Sequence, residues 1–301
     1  MPVRGSTPRL FTLSLRSQPE RGGEPLTTVN DKDGLERDTA WRHLLILVHG
    51  FNNAESVAEE KYDHYVDILR PFLEDSRIAP DAIAKLHWPG NAAVGPFPIF
   101  DFAGYPVDVG RALQSVGPLA VFLQRLMATR PSTRRISVVG HSLGCRLIVE
   151  AMNRLAPGLR LAVVSLMAAA VPVALAEAGQ PLANALAAAT KMLIAHSRAD
   201  WVLFLAFPAG QALAAIAGIE QAAYVEAIGR NGNPVSFGAS LPRPNNGHGD
   251  YWTDEYAAAM LLQTMDATLR VLPPAAALPR RALLPTENIA SRAPKSRNLP
   301  T

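Results

Sequence analysis

The sequence predicts an α/β fold, in which a mainly parallel sheet carries helices on both of its faces. Short aliphatic segments that are typical of strands alternate along the chain with longer segments of helical periodicity. Residues 43–50 form a continuous aliphatic run that a glycine ends, which favours a strand covered on both faces. The chain has 301 residues, of which 49% are hydrophobic, and this is enough for one large core.

The individual elements follow from local patterns. Residues 10–15 alternate between apolar and polar side chains, which predicts a half-buried strand. Residues 54–73 have helical spacing and acidic side chains near their start, an arrangement that stabilises a helix amino terminus. The other strands are predicted at residues 82–88, 135–140, 161–170 and 191–197, and the other helices at residues 107–129, 143–155, 182–189 and 253–269.

One domain is predicted over residues 8–272, between a flexible amino terminus (1–7) and a disordered Pro- and Arg-rich tail (273–301). The tail contains five basic residues and one acidic residue, so it accounts for more than the whole net charge of +3. The rest of the chain is therefore not a basic surface, and we expect no nucleic-acid partner.

The composition also argues against metal and disulfide chemistry. Cys145 is the single cysteine, so the chain can form no internal disulfide and no thiolate cluster. The histidines lack the spacing of known metal motifs, and we expect neither a metal nor a cofactor. The single cysteine and an amino terminus unlike a secretory signal predict a cytoplasmic location.

Residues 201–219 contain no charged side chain and are long enough to be considered as a membrane span. Proline, glutamine and glycine residues interrupt the segment, and much of it is alanine. We therefore expect a buried helix or an apolar lid here, and no stable membrane span.

A serine nucleophile is predicted at Ser142, within the sequence GHSLG at residues 140–144. This G-x-S-x-G pattern stands between a predicted strand and a predicted helix, as a nucleophile elbow requires. The glycines leave room for a turn so sharp that it exposes the serine hydroxyl. The alternative is a glycine-rich turn with an idle serine. His141 is interpreted as a residue that packs at the elbow rather than as a catalyst.

A serine hydroxyl needs a base to accept its proton and a third group to orient that base. In this architecture the expected chain order is nucleophile, acid, base. His248 lies in a polar loop before the last predicted helix, which favours the base over an exposed loop residue. Asp200, three residues after a predicted strand, is the predicted acid, and it can also cap the helix that follows. The alternatives for the acid are Glu177, Asp250 and Asp254.

The oxyanion hole is predicted from the backbone N–H groups of Phe51 and Leu143. Phe51 follows Gly50 at the end of the first central strand, and Leu143 begins the helix behind the nucleophile. His49 is interpreted as a residue that holds this loop, without a direct part in proton transfer.

These residues make the sequence similar to the α/β-hydrolases, and within them to a poorly characterised bacterial branch that resembles esterases and lipases. The resemblance covers residues 44–252 and departs from the branch at two points. Gly90 stands where the branch has a serine, and Gly249 and Asp250 separate the last motif from Tyr251. The motifs are HGFNN (49–53), WP (88–89), Y-x-x-D (105–108), GHSLG (140–144), S-x-x-D (197–200) and GH (247–248).

The resemblance implies a serine hydrolase that cleaves a carboxylic ester through an acyl-enzyme intermediate. Apolar segments at 96–102 and 201–207 favour a small-molecule ester with an apolar acyl or aryl group. A peptidase or amidase would use the same triad, and a catalytically silent scaffold would bind an apolar ligand or a protein partner. The possible substrate pocket consists of Asn52, His141, Trp201 and Tyr251.

Overall fold

A single eight-stranded sheet forms the centre of the protein, and all neighbouring strands in it are parallel except the outermost pair, the first two of the chain. The computed structural model describes residues 7–20, 23–75, 80–91, 101–129, 134–232 and 237–271. The predicted flexible ends therefore lie outside the described residues, apart from Thr7. The strands are β1 (Arg9–Arg16), β2 (Pro25–Asp31), β3 (His43–Val48), β4 (Ala82–His87), β5 (Arg135–His141), β6 (Leu161–Met167), β7 (Ala189–His196) and β8 (Ala239–Pro242).

The spatial order of the strands is β2-β1-β4-β3-β5-β6-β7-β8, and only β1 and β2 run antiparallel. Every residue of β4 and β6 is buried, as is all of β3 after its first residue. Such strands need aliphatic residues on both faces, which explains the continuous runs in the sequence. The sheet and its helices confirm the predicted fold class.

The helices cover the sheet. The longest is α2, which contains Pro106 and Pro118 and begins at Asp101, six residues before the predicted start. The segment predicted as a helix at 182–189 is a 3₁₀ helix, Ala183–Ala188. The helices are α1 (Glu55–Asp75), α2 (Asp101–Thr129), α3 (Leu143–Asn153), α4 (Val173–Ala176), α5 (Phe207–Ile216), α6 (Ile228–Asn231) and α7 (Glu255–Val271), with a π-helical turn at Val202–Ala206 and a 3₁₀ turn at Asp250–Thr253.

Of the two alternatives expected for the segment 201–219, a buried helix and an apolar lid, the structure contradicts the fully buried helix. The segment forms the π-helical turn and α5, and several of its large apolar side chains are exposed. Leu203 and Phe207 face the core, whereas Trp201 and Ile216 face outward. Among the described helices, none combines the length and the hydropathy that a membrane span requires.

The register of the sheet brings the predicted site residues to one edge. The pairs Val48–Gly140, Met167–Ala195 and His196–Pro242 show that β3, β5, β6, β7 and β8 end almost level. The loops after these parallel strands therefore start side by side, at the edge where α/β folds place their ligands.

Candidate active site

Ser142 occupies the turn between β5 and α3 in a strained conformation, with φ 52° and ψ −124°. Positive φ is costly for a residue with a side chain, by about 1–3 kcal/mol, and it persists only where neighbours hold it. The Ser142 N–H donates to Met167 O (2.9 Å), and the Ser142 carbonyl accepts from Ala170 N (3.1 Å). The end of β6 thus holds the serine in the elbow.

The two glycines of GHSLG are required by close packing. A Cβ atom at Gly140 would lie 2.4 Å from Ile148 Cδ1, and one at Gly144 would lie 2.2 Å from the carbonyl oxygen of His49. The first turn of α3 therefore lies directly against the end of β3. This contact brings the loop after β3 beside the serine.

Three predicted residues from distant parts of the chain form one hydrogen-bonded array. The Ser142 hydroxyl lies 2.9 Å from His248 Nε2, and His248 Nδ1 lies 2.8 Å from Asp200 Oδ2. A carboxylate at Nδ1 keeps the proton on that nitrogen, so Nε2 is free to accept the serine proton. Asp200 is fully buried, and its Oδ1 accepts from Leu203 N (2.9 Å), so the same carboxylate also caps the helical segment after it.

The other candidate acids have other positions or partners. Asp254 forms a two-pronged pair with Arg243, with Nε–Oδ2 2.5 Å and Nη2–Oδ1 2.9 Å. Asp250 accepts from Gly247 N (2.7 Å), and Glu177 is exposed. Of the four candidates, Asp200 is the one that contacts the imidazole of His248.

His141 holds the loop that carries His248. Its Nε2 donates to the backbone carbonyl of His248 (2.6 Å), and the two rings lie 4.9 Å apart. Burial lowers the pKa of His141 well below its usual value, so this ring is neutral at pH 7. Its position agrees with packing at the elbow, and the contact with the His248 loop adds a positioning role.

The two predicted oxyanion donors flank the serine. Leu143 is the first residue of α3, so its N–H has no acceptor within the helix. A Cβ atom at Gly50 would lie 2.7 Å from Ser142 Cβ, so the peptide that joins Gly50 to Phe51 lies directly beside Ser142.

Two buried side chains hold that peptide. His49 Nδ1 donates to the Gly50 carbonyl (2.9 Å), and Asn53 Nδ2 donates to the same oxygen (3.1 Å). The carbonyl of Gly50 and the N–H of Phe51 belong to one planar trans peptide and point in opposite directions. Donors on the carbonyl therefore fix the direction of the N–H.

The protonation of His49 agrees with this role. Its Nε2 accepts from the Trp88 N–H (3.2 Å), which leaves the proton on Nδ1, and its ring stacks on Trp88 at 5.5 Å. Burial and the nearby Arg16 lower the pKa of His49 well below its usual value. The ring is therefore a neutral donor to Gly50, as expected for a residue that holds the loop.

Asn53 was not predicted as a site residue, although it belongs to the HGFNN motif. Its side chain is anchored by Lys61 Nζ, which donates to Asn53 Oδ1 (2.5 Å), and its backbone carbonyl accepts from the guanidinium of Arg16. Arg16 is a buried charged residue at the end of β1, and the sequence gives no sign that this charge is buried.

The four residues of the predicted pocket have different environments. Tyr251 is fully buried and its ring lies 6.5 Å from that of His141. Asn52 is exposed, with φ 56°. Trp201 is exposed, and its ring packs edge-on against Phe204 at 5.6 Å. Of the predicted apolar segment 96–102, residues 96–100 lie outside the described residues.

Comparisons with known proteins agree with this fold. A family model described as an α/β-hydrolase of unknown function, DUF900, matches residues 30–171. No curated protein matches the sequence. Fold and family model together place the chain in the α/β-hydrolase superfamily. Within it, the sequence is similar to the DUF900 family over the region that contains the predicted oxyanion loop and the elbow.

Solved structures with a similar fold share little sequence with this chain. SOBER1 from Arabidopsis thaliana is 17% identical, with 76% of this chain and 99% of that chain covered and a TM-score of 0.44. The ydeN gene product from B. subtilis is 14% identical, with 75% and 99% covered and a TM-score of 0.41. Acyl-protein thioesterase 2 from Zea mays is 14% identical, with 76% and 94% covered and a TM-score of 0.38.

Proposed function

We propose that this hydrolase is a serine esterase, which cleaves a carboxylic ester through an acyl-enzyme intermediate. The observation that carries the proposal is the unbroken hydrogen-bonded array from the Ser142 hydroxyl through His248 to Asp200, with contacts of 2.9 and 2.8 Å. Each group has the neighbour that its role requires: a base at the nucleophile, and a carboxylate at the base.

The chemistry follows from these contacts. Ser142 Oγ attacks the ester carbonyl while His248 Nε2 accepts its proton, and Asp200 holds the imidazole in the required tautomer. The backbone N–H groups of Phe51 and Leu143 bind the oxyanion of the tetrahedral intermediate. His248 then donates the proton to the leaving alkoxide. Water hydrolyses the acyl-enzyme by the same steps, with the serine as leaving group.

A small-molecule ester with an apolar acyl or aryl group is the proposed substrate. The support is the apolar segment that follows Asp200, because its backbone is bonded to the array: the N–H of Leu203 donates to Asp200 Oδ1. A peptidase or amidase would use the same residues, and only turnover of the two substrate classes separates them. The single, buried Cys145 supports a cytoplasmic location.

Labelling with a fluorophosphonate probe tests the proposal, because the probe reacts only with an activated serine. We expect one adduct on the protein and none on the Ser142→Ala variant. Turnover of p-nitrophenyl esters of graded chain length should fall by at least ~10³-fold in kcat in Ser142→Ala and His248→Ala. Absence of both adduct and turnover in the folded wild type would support the silent scaffold instead.

A further inference from the structure

An exposed row of large apolar side chains lies on the segment directly after Asp200. Trp201, Leu205 and Ile216 are 68%, 59% and 84% exposed. Positions 201, 205, 213 and 216 recur at helical spacing, so they form a stripe along the outer side of the π-helical turn and α5. We call this set the apolar stripe, and it consists of Trp201, Val202, Phe204, Leu205, Leu213 and Ile216.

This surface is unusual for a helix of a globular protein. The inward side of the segment is already apolar, with Leu203, Phe207 and Ala214 buried in the protein. A surface helix normally has polar residues on its outer side. Large exposed apolar patches of this kind mark sites of interaction.

Two arginines lie beside the apolar stripe. Residues 201–219 contain no charged side chain, and the acid that follows them, Glu220, is buried and paired with Arg146 at 3.3 Å. The guanidinium of Arg230 lies over the ring of Phe204, 4.4 Å from its centre. Arg198, three residues before Trp201, is exposed. A partner with negative charge beside an apolar phase would complement this surface.

The apolar stripe adjoins the proposed active site. Asp200 accepts the N–H of Leu203 with its side chain and the N–H of Phe204 with its carbonyl (3.1 Å). The residue that holds His248 therefore also begins the stripe. A surface that docks on the stripe comes next to the Ser142 array.

We propose that the apolar stripe docks on an anionic lipid surface, and that the ester substrate of the site is drawn from that surface. The second part rests on the proposed esterase function. Leucine, isoleucine and phenylalanine side chains enter the acyl boundary of a bilayer, tryptophan is typical of the interface, and arginines pair with the headgroups. The acyl region of such a surface would contact the apolar side chains of the stripe, and its anionic headgroups would pair with the arginines.

A second copy of the chain fits this surface less well. A stable protein interface takes about 20–30 residues on each side, whereas the apolar stripe has six side chains on one short helical segment. A two-fold contact would also place the same patch against itself. Such a contact would bring Arg198 and Arg230 of both copies into one interface, where like charges repel.

Sedimentation with vesicles tests the docking. We expect the protein to bind vesicles of equimolar phosphatidylcholine and phosphatidylglycerol more tightly than vesicles of phosphatidylcholine alone. Leu205→Glu and Ile216→Glu should each weaken binding by at least about tenfold, since each removes buried apolar area and adds a repelled charge. Arg198→Gln should weaken binding to the anionic vesicles by about fivefold.

The matched control is Val121→Glu. Val121 is also an exposed apolar residue on a helix, at 52% exposure. Val121 lies on α2, which approaches Ile219 at Gly110. The helix between Gly110 and Val121 is about 16 Å long. This variant should bind vesicles like the wild type, which shows that loss of binding is specific to the apolar stripe.

The controls separate this proposal from the proposed function. Fluorophosphonate labelling of Ser142 and turnover of a soluble short-chain ester should be unchanged in Ile216→Glu and Val121→Glu, since both residues lie outside the segment 201–207. A wild type that labels and turns over the soluble ester but does not bind anionic vesicles would overturn the docking alone. A dimer in analytical ultracentrifugation that both stripe variants dissociate would assign the stripe to a second copy and would also overturn it.

Discussion

The two flanks of the Ser142 site are built in opposite ways. On the β3 side, buried side chains hold the loop at residues 49–53, because His49 and Asn53 both donate hydrogen bonds to the Gly50 carbonyl. On the β7 side, Asp200 is equally buried, but the segment that it begins turns an apolar face to the outside. The first flank is held by buried hydrogen bonds where charge would develop in the proposed reaction, and the second exposes apolar side chains where the proposed substrate would arrive.

This contrast has a physical reason. Stabilisation of an oxyanion requires dipoles that are already oriented, since reorganisation during the reaction would cost free energy. Buried hydrogen bonds supply that order. Recognition of an apolar group requires apolar area at an accessible surface, and such area cannot be hidden in the core. One α/β sheet provides both because the loops after β3, β5 and β7 start side by side.

Among the substitutions on the β3 side of the site, Gly144→Ala is expected to have the largest effect on stability. The new methyl group would overlap the carbonyl oxygen of His49, a backbone atom that cannot move without the end of β3. We expect a loss of about 2–3 kcal/mol in the free energy of unfolding, together with reduced turnover. Urea unfolding followed by circular dichroism measures the first quantity.

Gly110→Ala is the control for this substitution. Gly110 lies inside α2, and the nearest atom to an added Cβ is Ile219 Cδ1 at 3.9 Å, an ordinary van der Waals contact. Alanine should stabilise this helix by about 0.5–1 kcal/mol, because glycine is a poor helix former. Equal destabilisation by both variants would contradict the close packing described for Gly144.

Asn53→Ala tests the orientation of the Gly50–Phe51 peptide, whose N–H we propose as an oxyanion donor. The Gly50 carbonyl would lose one of its two side-chain donors, and Lys61 would lose its contact with the loop. We expect kcat to fall by about tenfold with KM nearly unchanged, less than the loss of a direct oxyanion donor would cause. The measurement is steady-state hydrolysis of a p-nitrophenyl ester.

Asn91→Ala is the matched control for Asn53→Ala. Asn91 also contacts Arg16, by accepting from Nη1 at 3.0 Å, but it makes no hydrogen bond to Gly50. Its turnover should stay within about twofold of the wild type. If both variants lose kcat alike, the effect comes from Arg16 and the orientation of Gly50 is not its cause.

Some of this organisation could be predicted from the sequence. The central strands were predictable because burial on both faces demands aliphatic residues, as in β3 and β6. The edge strand β2 and the four-residue β8 were missed, since most of their residues are exposed and give no such run. An aliphatic run is required only where a strand is buried, so exposed strands cannot be recognised by it.

For the site, local patterns singled out Ser142, Asp200 and His248, and the structure brings all three into contact. The anchoring of Asn53 by Lys61 and Arg16 could not be predicted. Those bonds depend on how α1 and β1 pack around the loop, and no sequence spacing encodes that. The sequence left residues 201–219 open between a buried helix and an apolar lid, because an apolar segment does not reveal which of its sides meets solvent.

Glu59→Gln, a substitution in α1, is expected to cause a smaller, pH-dependent loss in the free energy of unfolding. Hydrogen bonds from His87 and Lys85 lower the pKa of Glu59 from 4.5 to about 2. A carboxyl group whose pKa is lower in the folded than in the unfolded state stabilises the folded state at pH values above its unfolded pKa. This stabilisation is lost as the pH falls through the folded pKa. The variant should lose about 1 kcal/mol at pH 7, a value reduced for the partial exposure of Glu59.

The difference between wild type and Glu59→Gln should shrink as pH falls from about 4.5 towards 2. Urea unfolding at neutral and acidic pH measures it. Glu60→Gln is the control, since Glu60 is the exposed neighbour and forms no ion pair with the described residues. A difference that persists unchanged at the acidic end would show that charge pairing is not its cause.

Leu205→Ala, on the β7 side of the site, should have the smallest effect on the free energy of unfolding. The side chain of Leu205 is 59% exposed, so its removal should change the free energy of unfolding by less than about 0.5 kcal/mol. Leu203, two residues earlier in the same π-helical turn, is 2% exposed, and Leu203→Ala should cost about 2–4 kcal/mol. Thermal and urea unfolding of the two variants compare a leucine on the buried side of the π-helical turn with a leucine on its exposed side. Equal costs would mean that Leu205 is covered in the folded protein, and the apolar stripe would then be part of the core.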